Sequence, residues 1–256
     1  MSDKFDAAAN AAAVMTARRE VRTMAKWPTA APATYQDAEA VHAAIARISG
    51  HTVTGWKVGN VDATQQAKSG IPVVTNAPLY TPWTMASPAR FPRASLIAPK
   101  FECEFAFALG RDLPARKAPY SREEVADAVA AFHPAIEIVD GRQPGATPAE
   151  ALADSMASGG FVYGPAVRDW RKYEFGKHPM TLSFDGRVVV EGSGSVILGD
   201  PFQAVVLFAN RPPAWTTLKA GDIITTGSCI VPHLADKPGA YLADFGALGT
   251  VSITMT

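Results

Sequence analysis

The 256-residue sequence is short of cysteine, of net charge and of long apolar runs. Its two cysteines, Cys103 and Cys229, lie in no spacing typical of a disulfide framework or a zinc site. Lysine plus arginine and aspartate plus glutamate balance at 24 each, which excludes the basic field of a nucleic-acid-binding protein. No run approaches the ~18 apolar residues that span a bilayer, and the first residues lack an apolar signal-peptide core. We therefore expect a cytoplasmic protein with neither a nucleic-acid nor a membrane partner.

The first fifty residues show two helical patterns. Over 6–26 apolar residues recur every three or four positions, with charged residues between them, until a Trp-Pro pair ends the pattern. A second helix is predicted to begin after Thr34, which forms a capping-box-like pair with Asp37, and to end at Gly50. We interpret residues 1–50 as a small N-terminal helical unit.

Beyond residue 50, short apolar runs alternate with Gly, Pro and Asn, a texture typical of strands and turns. Strands are predicted at 52–58, 96–109, 135–140, 181–191, 221–228 and 248–255. The pair Asp185-Gly186 between apolar residues predicts a hairpin. Residues 51–256 are therefore expected to form one β-rich domain, and the fold class is α+β.

Two helices are predicted to interrupt these strands. One covers 121–132, opened by a Ser-x-x-Glu capping pattern and stopped by Pro134. The other covers 200–210, with Asp200 as N-cap and Pro201 in the first helical position.

Segment 101–109 carries the strongest chemical signal. Side chains alternate along a strand, so one face carries three phenylalanines, a cysteine and a leucine and belongs to the core. The other face carries Glu102 and Glu104, followed by Ala106 and Ala108, which leave space. Two ionised glutamates at this spacing in a partly buried site would repel by roughly 2 kcal/mol at an effective dielectric of ~20. Protons, basic partners or a metal ion must relieve that repulsion, unless the pair lies on a solvated edge face.

A third carboxylate, Glu137, lies within the apolar strand 135–140, where a solvated glutamate is not expected. It shares a face with Val139 and is predicted to point into the same space as Glu102 and Glu104. Three carboxylates, with no histidine or cysteine at ligand spacing, suit a hard cation such as Mg²⁺ or Mn²⁺ better than zinc. The three glutamates are therefore a candidate metal site.

Seven motifs occur along the chain in an order that points to a known family. They are Gly55 to Gly59 with a following Gln65, Glu102 to Phe107, Glu137 to Arg142, Ala153 to Ser158, Leu198 to Pro201, Leu218 to Ser228 and Leu248 to Ser252. Together they resemble the fumarylacetoacetate hydrolase superfamily, in its branch of 2-oxopent-4-enoate hydratases and 4-oxalocrotonate decarboxylases. The resemblance extends over about residues 50–256 and implies a mixed β-sheet roll with a small helical N-terminal part, residues 51–256 being the catalytic domain.

The resemblance also implies roles for individual residues. Glu102, Glu104 and Glu137 correspond to ligands of Mg²⁺ or Mn²⁺. Glu137 favours the hydratase and decarboxylase branch, because the superfamily's C–C hydrolases and isomerases usually carry Asp there. Lys57 falls at the position of an active-site lysine, the alternative being a surface charge at the end of a strand. A homo-oligomer is expected.

The activity implied is that of a metal-dependent lyase, a hydratase of small 2-hydroxy-2,4-dienoic or 2-oxo acids in aromatic or related catabolism. Thr226 and Ser228 are candidates for binding the substrate carboxylate, although hydroxyls at turns often have a purely structural role. The alternatives are a 4-oxalocrotonate-type decarboxylase, an acylpyruvate hydrolase, and an inactive partner subunit of a related enzyme.

Two features depart from the family pattern. Hydratases of this branch usually carry an acidic residue, thought to take part in proton transfer, in the segment corresponding to 79–85, and no acid occurs there. The family's Asp-Asn-Ala-Ser is here replaced by the sequence Asp-Ser-Met-Ala-Ser at 154–158. Both changes predict a pocket that differs from that of other members.

Overall fold

The structure is a computed structural model that describes residues 4–256. The helices are α1 (Ala7–Arg19), α2 (Tyr35–Ser49), α3 (Ala63–Ser69), α4 (Arg122–Ala128), α5 (Pro148–Ala153) and α6 (Phe202–Ala209). The strands are β1 (Val53–Gly59), β2 (Thr75–Tyr80), β3 (Thr84–Ala86), β4 (Ala89–Phe91), β5 (Lys100–Leu109), β6 (Val129–Val139), β7 (Ser158–Tyr163), β8 (Pro179–Phe184), β9 (Arg187–Ser193), β10 (Ile223–Thr225), β11 (His233–Leu234), β12 (Gly239–Asp244) and β13 (Thr250–Met255).

The strands form two mixed sheets, which confirms the predicted α+β class. The eight-stranded sheet has the order β2-β1-β10-β5-β6-β7-β3, with β11 paired to β5. The five-stranded sheet has the order β4-β13-β12-β8-β9. The pairs β1–β10, β3–β7 and β4–β13 are parallel, while the others are antiparallel. The long strands β5 and β6 lie next to each other near the middle of the larger sheet.

The apolar face of β5 packs into the main core, as its alternation predicts. Phe101 contacts Tyr241 of the five-stranded sheet with ring centroids 4.8 Å apart, and Phe105 contacts Phe245 at 5.6 Å. All four rings are almost fully buried. The opposite face of β5 points away from this core. Ala106 on that face packs into a separate small apolar cluster, and Glu102 and Glu104 lie beyond it on the same face.

The second helix forms as predicted. In α2 the Thr34 side chain accepts a hydrogen bond from the Asp37 backbone, the Asp37 side chain accepts one in return from Thr34, and Gly50 ends the helix in the left-handed conformation. The two helices share an apolar cluster that also includes residues from β2 and α5. The division of the chain at residue 50 stays a prediction.

The first helix is shorter than predicted. It ends at Arg19, and the expected continuation to residue 26 is wrong. Val21 adopts a left-handed φ of 49°, and the N–H of Arg22 turns back to the carbonyl of Ala17 at 3.0 Å. Met24, which matched the helical spacing, is buried in irregular chain and donates its N–H to the carbonyl of Arg142. Tertiary packing explains its burial.

The helix predicted over 121–132 is correct at its start and wrong at its end. Ser121 and Glu124 form the expected capping box, but α4 stops at Ala128 and passes directly into β6. Pro134 lies inside this strand, opposite Phe105. It is tolerated because β6 pairs with β7 only from Ala135 onward, so no ladder bond needs its missing N–H.

Other predictions differ from the structure mainly in their boundaries. The Asp185-Gly186 hairpin is confirmed, with both residues at positive φ between β8 and β9. Helix α6 begins at Phe202, one residue later than predicted, with Pro201 at the cap position and the Asp200 carboxylate accepting from the Phe202 N–H. Within residues 4–256, no helix combines the length and the apolar character needed to cross a membrane.

Candidate functional site

The three predicted glutamates meet on the face of the eight-stranded sheet that points away from the main core. Glu102 on β5 lies directly opposite Glu137 on β6, and Glu104 lies two residues further along β5 on the same face. One carboxylate oxygen from each residue lies within 4.8 Å of those from the other two. In residues 4–256 this is the one group of three potential metal ligands found so close together.

The cluster is buried and carries excess negative charge. Glu104 and Glu137 are only 1% and 2% exposed, and Glu102 is partly buried. Burial, reinforced by the Glu137 carboxylate, raises the pKa of Glu102 to about 7. Burial, followed by repulsion from Glu137 and Glu102, raises the pKa of Glu104 well above its ordinary value. At 4.8 Å two ionised carboxylates repel by about 3 kcal/mol at an effective dielectric of about 20, so the cluster needs a positive charge.

Lys57 supplies part of that charge. It lies on β1, two strands away from β5 in the sheet, and it is 3% exposed. Its ammonium group donates to Oε1 of Glu137 and, at 2.8 Å, to the carbonyl oxygen of Met156. The lysine predicted from the sequence motif thus contacts one of the predicted ligands directly.

The Met156 carbonyl is placed by an unusual turn. Ser155, Met156 and Ala157 all have φ between 51° and 56°, the left-handed region that non-glycine residues rarely adopt. The turn is held by the N–H of Ala157, which donates to the carbonyl of Asp154, and by the Ala157 carbonyl, which accepts from the N–H of Asp140. Strain of this kind is concentrated at functional sites.

The segment after β10 closes the site from the other side. Gly227, with a φ of 99°, donates its N–H to Oε2 of Glu104 at 3.1 Å. The Thr226 hydroxyl donates to the carbonyl of Phe105, and the Ser228 hydroxyl donates to the carbonyl of Ile230. Thr226 and Ser228 therefore line the same cavity as the glutamates, with their hydroxyl protons engaged by backbone oxygens.

All six predicted site residues line one cavity of about 330 Å³, within the usual range for a small-molecule site. Two surface clefts of about 640 and 590 Å³ are larger, but among residues 4–256 neither holds three potential ligands within 4.8 Å of one another. Sequence reasoning did not select Gln65, Met156 or Ile197, which also line the smaller cavity. The Gln65 side-chain oxygen accepts from the N–H of Val61, so its amide NH₂ is the group left to act as a donor. The family motif after Gly59 was the available signal for Gln65.

The donor set fits a hard divalent cation. Three carboxylates whose oxygens lie within 4.8 Å of one another are typical of Mg²⁺ or Mn²⁺ sites. The cavity is partly enclosed, and within residues 4–256 no histidine or thiol joins the group of ligands. A cation of charge two would offset the repulsion that raises the pKa values of Glu102 and Glu104. The role of the three glutamates as ligands stays a prediction.

Segment 79–85, where an acid was expected, contacts the N-terminal helices. Its residues are absent from the cavity lining among the residues described. The Trp83 ring lies 3.5 Å below the guanidinium carbon of Arg18, and the buried Tyr80 hydroxyl has no hydrogen-bond partner within residues 4–256. No group in this segment replaces the missing acid.

Comparison with known proteins agrees with this architecture. Residues 43–254 match the model of the fumarylacetoacetate (FAA) hydrolase C-terminal family. The chain is 32% identical to a 2-keto-4-pentenoate hydratase of Burkholderia vietnamiensis over the full length of both proteins. It is 30% identical to a 4-oxalocrotonate decarboxylase of a Pseudomonas species, over 79% of this chain and 78% of that protein.

A solved structure shows the same fold. The 4-oxalocrotonate decarboxylase of Pseudomonas putida, complexed with magnesium and adipate, superposes with a TM-score of 0.85 at 22% identity and covers 98% of this chain and 97% of its own. The family match over most of the chain, together with the full-length relative, agrees with the motifs and with the fold. The chain belongs to the fumarylacetoacetate hydrolase family.

Proposed function

We propose that this protein is a divalent-metal-dependent lyase that hydrates small 2-hydroxy-2,4-dienoic acids. Its relatives named 2-keto-4-pentenoate hydratase support the hydratase activity. The observation that carries the proposal is the convergence of Glu102, Glu104 and Glu137 within 4.8 Å in a cavity that also holds Lys57. A 2-hydroxydienoate would first tautomerise to its conjugated 2-oxo form. Water would then add to the alkene carbon that lies farther from the 2-oxo group.

The glutamates would hold the cation, Mg²⁺ or Mn²⁺, through one oxygen each. When bound, the cation supplies Lewis-acid chemistry and a template for the carboxylate and 2-oxygen of the substrate. The backbone N–H of Gly227 keeps Glu104 oriented, and the β5–β6 ladder fixes Glu102 opposite Glu137. Support from rigid strands is the usual requirement for a precise site.

Lys57 would hold a proton beside the substrate. An ammonium group has three N–H donors, and two of them are engaged by Glu137 and Met156. The third would donate to a substrate oxygen or transfer its proton to carbon during tautomerisation. Because segment 79–85 offers no acid, we assign proton handling to Nζ of Lys57 in this chain.

Thr226, Ser228 and Gln65 would orient the substrate. Thr226 and Ser228 line the cavity that holds the glutamates, and their hydroxyl protons must exchange partners to bind a carboxylate. Gln65 has an amide NH₂ for this purpose without any rearrangement.

Decarboxylation of a 4-oxalocrotonate-type substrate is the second candidate. A specific observation supports it, namely 30% identity to a 4-oxalocrotonate decarboxylase over 79% of the chain. The residues invoked are the same, because loss of CO₂ and tautomerisation both place negative charge on the 2-oxygen of the substrate.

The test is turnover of 2-hydroxypenta-2,4-dienoate, followed by loss of its ultraviolet absorbance with Mg²⁺, with Mn²⁺ and with a chelator. We expect turnover with either cation and none with chelator. Glu104→Gln should abolish it and weaken Mn²⁺ binding measured by calorimetry, while Glu191→Gln, on an exposed face of β9, should change neither. Absence of metal-dependent turnover of both this dienoate and 4-oxalocrotonate would remove both candidate activities.

A further inference from the structure

An arginine of the N-terminal helix α1 holds the first two residues of β7. Nη1 and Nη2 of Arg18 donate to the carbonyl oxygens of Ser158 and Gly159, each at 2.6 Å. The strand is irregular here, because the pairing of β6 with β7 shifts register and leaves Gly159 without a partner residue on β6. On the other edge, β3 pairs with β7 only from Phe161 onward. The guanidinium fork therefore binds backbone that the two neighbouring strands pair only in part.

The Arg18 side chain is itself held by the segment that lacks the expected acid. Its guanidinium carbon lies 3.5 Å from the centroid of the Trp83 ring, in a cation–π contact. Burial lowers the pKa of the guanidinium well below its ordinary value, so a charge in this place is costly. A stacked, buried cation whose two terminal nitrogens bind one stretch of backbone indicates that the position of this stretch matters.

That stretch follows directly on the left-handed turn beside the glutamates. Ser158 comes two residues after Met156, whose carbonyl oxygen accepts from Nζ of Lys57 at 2.8 Å. The three turn residues 155–157 have φ between 51° and 56°, and such strained backbone persists only where its surroundings hold it. The Ser158 carbonyl, at the end of the turn, accepts from Arg142 as well as from Arg18. Arg18 thus contributes to holding the turn from the side of α1.

The Met156 carbonyl in turn limits how the lysine can point. An ammonium group is tetrahedral, so donating one N–H to Glu137 and a second to Met156 fixes the direction of the third. If the turn shifts, the carbonyl shifts with it, and the third N–H loses its orientation. The geometry of Lys57 therefore depends on backbone that Arg18 holds.

We propose that Arg18 is a positioning residue for the reaction, which fixes the start of β7, and through it the Met156 carbonyl, so that Lys57 points at the substrate. The inference rests on the proposed function, in which Lys57 handles the proton. It also gives segment 79–85 a role in this chain, because Trp83 acts on the site by stacking on Arg18. A side chain of α1 then belongs to the support of a site that lies on the sheet.

Kinetics of Arg18→Met test the inference. The substitution keeps the length of the side chain but removes both donors, and it should lower kcat for 2-hydroxypenta-2,4-dienoate about tenfold, because misplacing a catalytic group by less than about 1 Å is enough for such a loss. KM, and the Kd of Mn²⁺ measured by calorimetry, should stay within about twofold of wild type, since the glutamates are untouched. Wild-type kcat in this variant would overturn the inference.

Two further variants separate positioning from a general effect on the fold. Arg18→Lys keeps the charge and the stem, so it should fold even where the methionine variant does not, but without the fork it should recover at most part of kcat. Arg19→Met is the matched control, because Arg19 is exposed and bonds within α1, to the Thr16 hydroxyl. It should leave kcat unchanged. Full recovery by lysine, an equal loss in the control, or a parallel loss of Mn²⁺ binding would each contradict the proposed role.

Hydrogen exchange tests the structural link without any turnover. The N–H of Ala157 donates to the Asp154 carbonyl, and the N–H of Asp140 donates to the Ala157 carbonyl. In Arg18→Met, peptides that contain these two amides should exchange at least about fivefold faster, while peptides from β12 should not change. Unchanged exchange at the turn would overturn the inference. If the wild-type protein turns over neither the dienoate nor 4-oxalocrotonate, the proposed function fails, and the exchange data still decide whether Arg18 holds the turn.

Discussion

Within residues 4–256 two ion pairs are deeply buried, and they are built differently. Arg142 and Asp154 are each 2% exposed at the side chain, with Nε 2.5 Å from Oδ1. The guanidinium also donates to the carbonyl oxygens of Asp140, Ser158 and Asp154 at 2.9 to 3.0 Å, and the second Asp154 oxygen accepts the Arg142 N–H. Arg18 and Asp140 add one further positive and one further negative charge nearby, so the charges around this pair balance. The remaining Arg142 donors meet neutral oxygens.

The pair of Lys57 and Glu137 is as deeply buried, with side chains 4% and 2% exposed. Here, however, one ammonium group faces three carboxylates, because Glu102 and Glu104 lie beside Glu137. Burial and this repulsion raise the pKa of Glu102 to about 7. Lys57 therefore compensates the negative charge of the three glutamates only in part.

The difference indicates what each pair is for. A buried ion pair contributes little net stability, but removing one partner of a saturated pair leaves a costly unpaired charge. The Arg142 pair connects the segments at the ends of β6 and α5 with β7, so we assign it a structural role. The Lys57 cluster lacks positive charge, which a bound divalent cation would supply, so we assign it a role in binding and catalysis. Substitutions in the two pairs should therefore have opposite signatures.

The largest expected effect is on activity. Lys57→Met removes the proposed proton carrier and should lower kcat/KM for the dienoate about a hundredfold to ten-thousandfold, the usual worth of a general acid or base. With saturating Mg²⁺ its melting temperature should remain near that of the wild-type protein. Steady-state kinetics and thermal denaturation check both parts. A lysine variant that melts far lower while the surviving folded enzyme keeps its rate would assign Lys57 to the fold.

Arg142→Met should show the reverse. The substitution removes the ion-pair partner of the buried Asp154 carboxylate, whose pKa is already raised by burial. It should lower the free energy of unfolding by about 3 to 5 kcal/mol. Urea denaturation measures the loss. Restoring neutrality with the double substitution Arg142→Met and Asp154→Leu should recover part of it. A loss below about 1 kcal/mol would contradict the role assigned to this pair.

The contrast between the pairs also explains what the sequence could predict. The face of β5 and the cluster of Glu102, Glu104 and Glu137 were predictable because strand alternation is local and Glu137 was anomalous in an apolar run. The second helix was predictable from its capping residues. Each of these signals lies within a few residues of the feature it specifies.

Features set by distant contacts were not predictable in this way. Residues 129–132 look helical and become strand because β5 pairs with all of them except Ala130, where the register shifts. Neither the left-handed turn at Met156 nor its carbonyl bond to Lys57 has a local signal, since methionine rarely adopts positive φ. The apolar side chain of Ile197 reaches the site only because Gly227, thirty residues later, leaves room for it.

A pH series tests the partly compensated charge directly. The folded-state pKa of Glu102, about 7, lies above its ordinary value of 4.5, so the metal-free folded protein binds more protons between these values than the unfolded chain. The titration of Glu102 should therefore lower the free energy of unfolding of the metal-free protein as pH rises from about 4.5 to about 7. The total change is about 3 kcal/mol. Bound Mg²⁺ should remove this loss, because it binds the ionised carboxylates.

His42 must be separated from this effect. Burial lowers its pKa to about 4 from 6.5, so His42 destabilises the fold as pH falls through that range, which is the opposite direction. The difference in unfolding free energy between Mg²⁺-loaded and metal-free protein cancels the His42 contribution. That difference should grow between pH 5 and 7. A difference that stays constant with pH would show that the carboxylates do not titrate in this range.

The smallest expected effect has an unusual sign. Glu104→Gln keeps the shape of the side chain and an oxygen for the Gly227 N–H, but removes one of three crowded charges. In metal-free protein at pH 7 we expect it to stabilise the fold by about 1 kcal/mol, since part of the repulsion is already relieved by protonation. With Mg²⁺ the sign should reverse, because the wild-type protein gains binding energy that the variant lacks. Urea denaturation with and without Mg²⁺ gives both values, with Glu191→Gln as an exposed control that should change neither. If Glu104→Gln is destabilising without metal, the cluster is already satisfied in the free protein, and the two buried ion pairs differ less than their geometry indicates.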